Sequence, residues 1–213
     1  MKGKFIVFEG IDGSGTSTQA GDLFQYIENK KGACHITCEP TYVGPGLMIH
    51  DYLDGKIKLD LAPDLREEYL AYLFAADRYN HLFKSRNGVW DMLDDKIDVV
   101  CTRYVVSSLA YHCFSDDFDL INKLNSQFFK PDLMFYLDCP PELAIKRIEG
   151  SRIADKNETI ENLERVSINY DKALKEYNCP YIRIDATKTR EDISKIVQEK
   201  FEELELKDEG PGF

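Results

Sequence analysis

The chain is short of positive charge. Its 213 residues carry 27 lysines and arginines against 38 aspartates and glutamates, a formal net charge of −11 at pH 7. An exterior of that sign argues against general affinity for nucleic acid or anionic membrane, and leaves room for a small anionic ligand held by a few local arginines. Cysteine occurs at 34, 38, 101, 113, 139 and 179, with no C-x-x-C pair. The common spacing of a zinc or redox site is therefore absent. Cys34 and Cys38 would need His35 or another partner to converge on a metal, so the cysteines are expected to be reduced thiols of a cytoplasmic protein. The sequence also shows no signal-peptide pattern, bilayer-spanning apolar run, internal repeat, low-complexity tract or domain linker. What remains is one α/β domain over residues 1–206, long enough for a substantial core, followed by a tail, 207–213, whose glycines and proline predict fraying.

One missing side chain matters more than the rest. The run Phe8-Glu9-Gly10-Ile11-Asp12-Gly13-Ser14-Gly15-Thr16-Ser17-Thr18 follows an apolar segment and precedes a helical one. It fits the phosphate-binding pattern G-x-x-x-x-G-K-[ST] except that Thr16 stands at the lysine position. Gly10, Gly13 and Gly15 can adopt positive φ, which lets successive backbone N–H groups, with Ser14, Thr16, Ser17 and Thr18, converge on phosphate oxygens at a helix start. The Ser17 hydroxyl is placed to reach a magnesium ion. A lysine would add a mobile cation on the β and γ phosphates. Its loss predicts a chemical step slower by roughly 100- to 1000-fold unless another cation substitutes.

Strand-like runs recur at Phe5–Phe8, Cys34–Cys38, Ile97–Cys101, Leu133–Leu137 and Tyr181–Ile184, with helical patterns between them. That alternation predicts βαβ units and a parallel sheet with ligands at the carboxyl ends of its strands. Helices are expected from about Thr16 to Glu28, Pro63 to Phe83, Pro140 to Ile148, Glu158 to Glu176 and Arg190 to Leu204. The polar stretch 149–157 between two of them reads equally as a lid over a phosphate site or as a plain connection.

The third strand-like run is followed by Thr102-Arg103-Tyr104-Val105-Val106-Ser107-Ser108-Leu109-Ala110-Tyr111-His112. An arginine directly after a buried strand suits a phosphate. With the glycine loop, Phe74-Ala75-Ala76-Asp77-Arg78 and Tyr136-Leu137-Asp138-Cys139-Pro140-Pro141-Glu142, the chain resembles the thymidylate kinase family along almost its whole length. The resemblance implies an α/β phosphate-loop NMP-kinase-like fold, a five-stranded parallel sheet surrounded by helices. It also implies transfer of the γ phosphate of ATP to dTMP with Mg²⁺, in a protein that is commonly a homodimer.

By resemblance, Asp12 contacts the 3′-hydroxyl of dTMP and helps hold the metal, Arg103 grips the acceptor phosphate, and Glu39-Pro40 lies under the acceptor site. Phe74 stacks on thymine, Arg78 reaches a base carbonyl, Ser108 falls at the base edge with Ser107 beside it among the dTMP-binding residues, and Tyr111 packs against the sugar. Taken singly, Phe74 and Tyr111 read as core residues and Arg78 as a surface or salt-bridged one; Asp77 reads as a structural, ion-pairing residue. The family usually carries Asp-Arg where this chain has Thr102-Arg103, so Thr16 and Thr102 are expected to lie near each other on neighbouring strands. With no arginine in the loop, Arg147 and Arg152 become the candidates for the γ phosphate, Arg152 being preferred. Two alternatives stay open: the two threonines allow a nucleotide-binding relative with impaired catalysis, and the acceptor neighbourhood of Cys38, Ser108 and His112 allows a kinase for another nucleotide or nucleoside.

Overall fold

The computed structural model describes residues 2–112, 118–151 and 158–209. Arg152, most of the 149–157 segment and the end of the tail lie outside the described residues. Five strands, β1 (Phe5–Glu9), β2 (Cys34–Cys38), β3 (Asp98–Thr102), β4 (Leu133–Asp138) and β5 (Tyr181–Asp185), form one parallel sheet in the order β2-β3-β1-β4-β5. The five strands and the parallel sheet expected from the sequence are therefore present. The two innermost strands of the β2-β3-β1 half, β1 and β3, are buried at every position, as a parallel sheet covered on both faces requires. The outer strands β2 and β5 keep exposed positions. The register sets Phe8 beside Thr102, so β1 and β3 end together at the carboxyl edge.

Around the sheet lie α1 (Thr16–Lys31), α2 (Pro45–Leu53), α3 (Pro63–Phe83), α4 (Val89–Asp94), α5 (Val105–His112), α6 (Asp119–Asn125), α7 (Pro141–Ser151), α8 (Ile160–Tyr177) and α9 (Arg190–Glu209). Proline opens α2, α3 and α7, where its missing N–H costs nothing. α1 runs to Lys31, beyond the expected Glu28, until Gly32 turns left-handed (φ 65°) and donates its N–H to Glu28. Its face toward the core is Ala20, Leu23 and Ile27, whereas Tyr26 bridges to α9 through Glu202. α9 continues to Glu209, so the first residues of the expected tail are helical. The short helices α2, α4, α5 and α6 were not expected from periodicity, because pieces of that length are held by packing rather than by propensity. The core joins both sheet faces, with Phe8 stacked on Phe135 at 5.1 Å and Phe5 edge-on to Tyr104 at 5.2 Å.

Candidate active site

The glycine loop leaves β1 and enters α1 at the carboxyl edge of the sheet. Gly13 (φ 77°) packs so closely under α7 that a Cβ there would sit 2.4 Å from the Ala144 carbonyl oxygen. Gly15, the N-cap of α1, is left-handed at φ 101°, and no side chain caps the helix. The uncapped N–H groups of the first turn therefore open toward a cleft of about 480 Å³. Gly13, Gly15, Thr16, Ser17 and Thr18 line it together with Asp12, Thr102, Arg103 and Arg147. Thr16 and Thr102 thus face one cavity, as the strand order expected. Gly10 and Ser14 shape the loop from behind: a Cβ on Gly10 would lie 2.6 Å from Ser14 Oγ, which is buried without a hydrogen-bond partner among the described residues.

Arg103 follows β3 with a left-handed backbone, φ 64°. Its Nη2 donates to Asp12 Oδ1 at 2.6 Å, and its Nη1 donates to the Gly10 carbonyl, Ser107 Oγ and Tyr170 OH at 3.1, 3.2 and 3.2 Å. Tyr111 OH donates to the other oxygen of Asp12 at 2.9 Å, and its ring lies 5.0 Å from the guanidinium. Burial pushes the Tyr111 phenol well up, so it remains a donor to the Asp12 carboxylate.

Behind this cluster stands Glu9, which sequence reasoning did not single out. It is wholly buried and accepts four hydrogen bonds: the N–H groups of Tyr104 and Ser107 on Oε1, and Ser107 Oγ and Tyr170 OH on Oε2 at 2.6 and 3.1 Å. Burial pushes its carboxyl up, while the Ser107 and Tyr170 bonds and the Arg103 charge oppose it. The two backbone N–H groups and the Ser107 hydroxyl favour the charged carboxylate, whereas the single Tyr170 proton is shared among Glu9 Oε2, the Gly10 carbonyl at 3.0 Å and Ser107 Oγ at 2.8 Å. Because Ser107 gives its single proton to Glu9, its oxygen lone pairs face Arg103, and the buried charge reaches the guanidinium through a hydroxyl. Tyr170 is the second missed residue. Its only sequence signal is a tyrosine on the inward stripe of α8, indistinguishable from a core residue.

A second cavity, about 190 Å³, adjoins the first. Pro40, Leu53, Leu70 and Phe74 form apolar walls; Ser107, Ser108, Tyr111, His112 and Glu158 add polar edges. Asp12 and Arg103 line both cavities. His112 tilts against Phe74 at 4.8 Å and pairs with Glu67 at 3.2 Å. Arg78 and Glu39 lie one layer back. Arg78 is 1% exposed and gives Nε to Glu39 at 2.7 Å, Nη1 to Asn125 and Nη2 to Ser108 at 3.1 Å. Glu39 also meets His81, whose other nitrogen contacts Thr37. Asp77 is structural, as expected, but through hydrogen bonds: both oxygens accept from Thr41 and fix the loop after Pro40.

At the far side of the first cavity, Arg147 donates to the carbonyls of Ala186 at 2.8 Å and Ser14 at 3.4 Å, which places it beside the glycine loop. Ser17 lies exposed in the cleft that Asp12 also lines, and a serine hydroxyl with a carboxylate is an oxygen set that fits a hard divalent cation shared with phosphates. Among the described residues, no group of three or more His, Cys, Asp or Glu side chains could hold a metal by itself, and no helix is long and apolar enough to cross a membrane.

These features match a known family. The family model described as thymidylate kinase matches residues 8–197. The chain is 38% identical over 185 residues to a probable thymidylate kinase of Methanocaldococcus jannaschii, covering 86% of this chain and 87% of the relative. It is 36% identical over 211 residues to the thymidylate kinase of Caldicellulosiruptor saccharolyticus, covering 96% and 98%. With that of Plasmodium falciparum it shares 32% over 220 residues, covering 98% and 94%. A match that runs from the glycine loop through α8 into α9 takes in both cavities and the sheet between them, and the chain belongs to the thymidylate kinase family.

Proposed function

We propose that this chain transfers the γ phosphate of ATP to dTMP, giving ADP and dTDP, as a cytoplasmic, Mg²⁺-dependent homodimer. The observation that carries the reading is the shared wall: Asp12 and Arg103 border both the phosphate cleft and the smaller pocket. A donor phosphate over the α1 amides and an acceptor phosphate on Arg103 would meet there in line. Mg²⁺, held by Ser17 and the phosphates, would neutralise charge on the transferring group. The rest is positioning by the chain. Arg103 orients the acceptor phosphate, Tyr111 and Arg103 fix Asp12 against the sugar, and Phe74 stacks on the base. Ser108, backed by Arg78 and Glu39 from the layer behind, meets the base edge across from the Pro40 wall. Arg147 beside the loop, and Arg152 on the strength of the sequence reading alone, supply charge toward the γ phosphate.

The test is ADP formation from Mg·ATP with and without dTMP. Turnover that requires dTMP supports the reading. Retained dTMP binding without ADP production would instead establish a nucleotide-binding relative, the alternative that Thr16 favours.

Glu9 gives a sharper expectation. Glu9→Gln turns an acceptor into a donor at Ser107 Oγ, which reverses that hydroxyl and sets it against Arg103. Loss of a charge-assisted bond of about 1.5–3 kcal/mol predicts a KM for dTMP raised roughly 10- to 100-fold, with the KM for ATP little changed. Equal increases in both KM values would reduce Glu9 to a general structural role.

The dimer reading rests on one face of α3. Leu65, Tyr72 and Tyr79 recur every seven residues and are 55%, 48% and 54% exposed, with Phe83 and Trp90 also exposed nearby. Such an apolar stripe is unusual on a monomer and fits a second copy. Tyr72→Lys with Tyr79→Lys should shift the protein to a monomer in sedimentation; a wild-type chain that already sediments as a monomer would remove this part of the proposal.

A further inference from the structure

The cleft over the glycine loop combines a deficit of charge with two unused hydroxyls. Thr16 and Thr102 line it, at 8% and 9% exposure. Neither hydroxyl has a hydrogen-bond partner among the described residues, and neither is sealed away from the cavity. The neighbouring groups are already engaged. Asp12 gives one oxygen to Arg103 and the other to Tyr111. Arg103 is spread over Asp12, Gly10, Ser107 and Tyr170, and Arg147 is held by two backbone carbonyls. Where the general loop pattern delivers an ammonium to the β and γ phosphates, this one delivers a hydroxyl.

We propose that a monovalent cation with the coordination habits of potassium replaces that ammonium, bound by Oγ1 of Thr16, Oγ1 of Thr102 and oxygens of the nucleotide phosphates. The inference rests on the reading of this cleft as the phosphate site. Lysine carries its charge on a flexible four-carbon stem. A threonine hydroxyl followed by one ion–oxygen bond spans most of the same reach, so the ion lies close to where the ammonium would be. The pairing of Phe8 with Thr102 brings the second hydroxyl to the same sheet edge. Two neutral hydroxyls do not suit a second divalent ion, which prefers carboxylates and gives up water reluctantly. They do suit a weakly hydrated ion whose shell can be replaced by neutral oxygens, as carbonyls do in potassium filters. Two threonines also add no charge that would need a partner before nucleotide arrives, whereas a buried lysine or aspartate there would.

The full-length protein is tested in potassium, sodium and choline chloride at equal ionic strength. Calorimetry reads binding of a magnesium complex of a non-hydrolysable ATP analogue, and dTMP-dependent ADP formation reads turnover. The expected result is turnover on the order of 100-fold higher in potassium than in choline, the scale of one preorganised electrostatic donor, with tighter nucleotide binding in parallel. Thr102→Val should weaken the potassium response, and Thr16→Lys should abolish it. A thallium NMR signal that appears only with nucleotide present would locate the ion directly. Equal nucleotide affinity and turnover in potassium and choline would overturn the proposal while leaving the phosphate-site reading standing, and would assign the Thr16 hydroxyl to direct donation onto phosphate. No nucleotide binding in any salt would sink both.

Discussion

Arg103→Ala is expected to lower kcat/KM for dTMP by roughly 1000-fold, the upper range for removing a preorganised charged donor. The size of the effect follows from what the guanidinium connects. It is the counter-charge of Asp12, it lies between the two cavities, and its charge opposes the upward push of burial on Glu9. Without it, Asp12 faces the acceptor phosphate as an uncompensated carboxylate, and the buried Glu9 carboxyl behind it moves further up. Arg103→Lys keeps one charge but cannot hold Asp12, Gly10, Ser107 and Tyr170 together, so it should recover only a small part of the loss. Steady-state kinetics with dTMP varied at saturating ATP measures this. An alanine variant within tenfold of wild type would show that the acceptor phosphate is held elsewhere.

The second large effect is on stability. Arg78 and Glu39 are an ion pair with side chains 1% and 2% exposed. Arg78→Met would leave Glu39 buried with only His81 beside it, and Asn125 and Ser108 without their donor. Breaking a buried pair from one side costs about 3–5 kcal/mol, which for a chain of this size lowers Tm by on the order of 10 °C. Arg78→Met combined with Glu39→Gln should cost less than Arg78→Met alone, because no net charge is then stranded. Thermal unfolding of the two single variants and the double variant gives the answer. Additive losses would mean that the two charges do not depend on each other.

The parts of this site that were legible in sequence are those whose meaning is local. The glycine loop, with Asp12 and Ser17, is one contiguous run; Arg103, Ser107, Ser108 and Tyr111 sit on one strand end and the helix that follows; Phe74 lies on a long helix with a clear repeat. The five strands were legible because each is an apolar run between turn signals. Glu9 was hidden in plain view, since a glutamate ending a hydrophobic strand reads as the strand's polar stop. Its partner Tyr170 is separated from it by 161 positions, and nothing in either segment announces the other. The four-way contact of Arg78 with Glu39, Asn125 and Ser108 is equally nonlocal, joining α3, the end of β2, α6 and α5. Sequence spacing placed Arg78 and Phe74 on one helix, but only packing shows that the guanidinium is a layer deeper than the ring.

The left-handed backbone of Arg103 sets a trade between folding and chemistry at a single position. A side chain held at φ 64° stores strain of order 1–2 kcal/mol that glycine would not feel. Yet only this turn, directly after β3, swings the guanidinium back over Gly10 and Asp12. Arg103→Gly would relieve that strain but would strand the Asp12 carboxylate and remove four hydrogen bonds, so the side chain that strains the backbone is also the one that holds the strained turn in place.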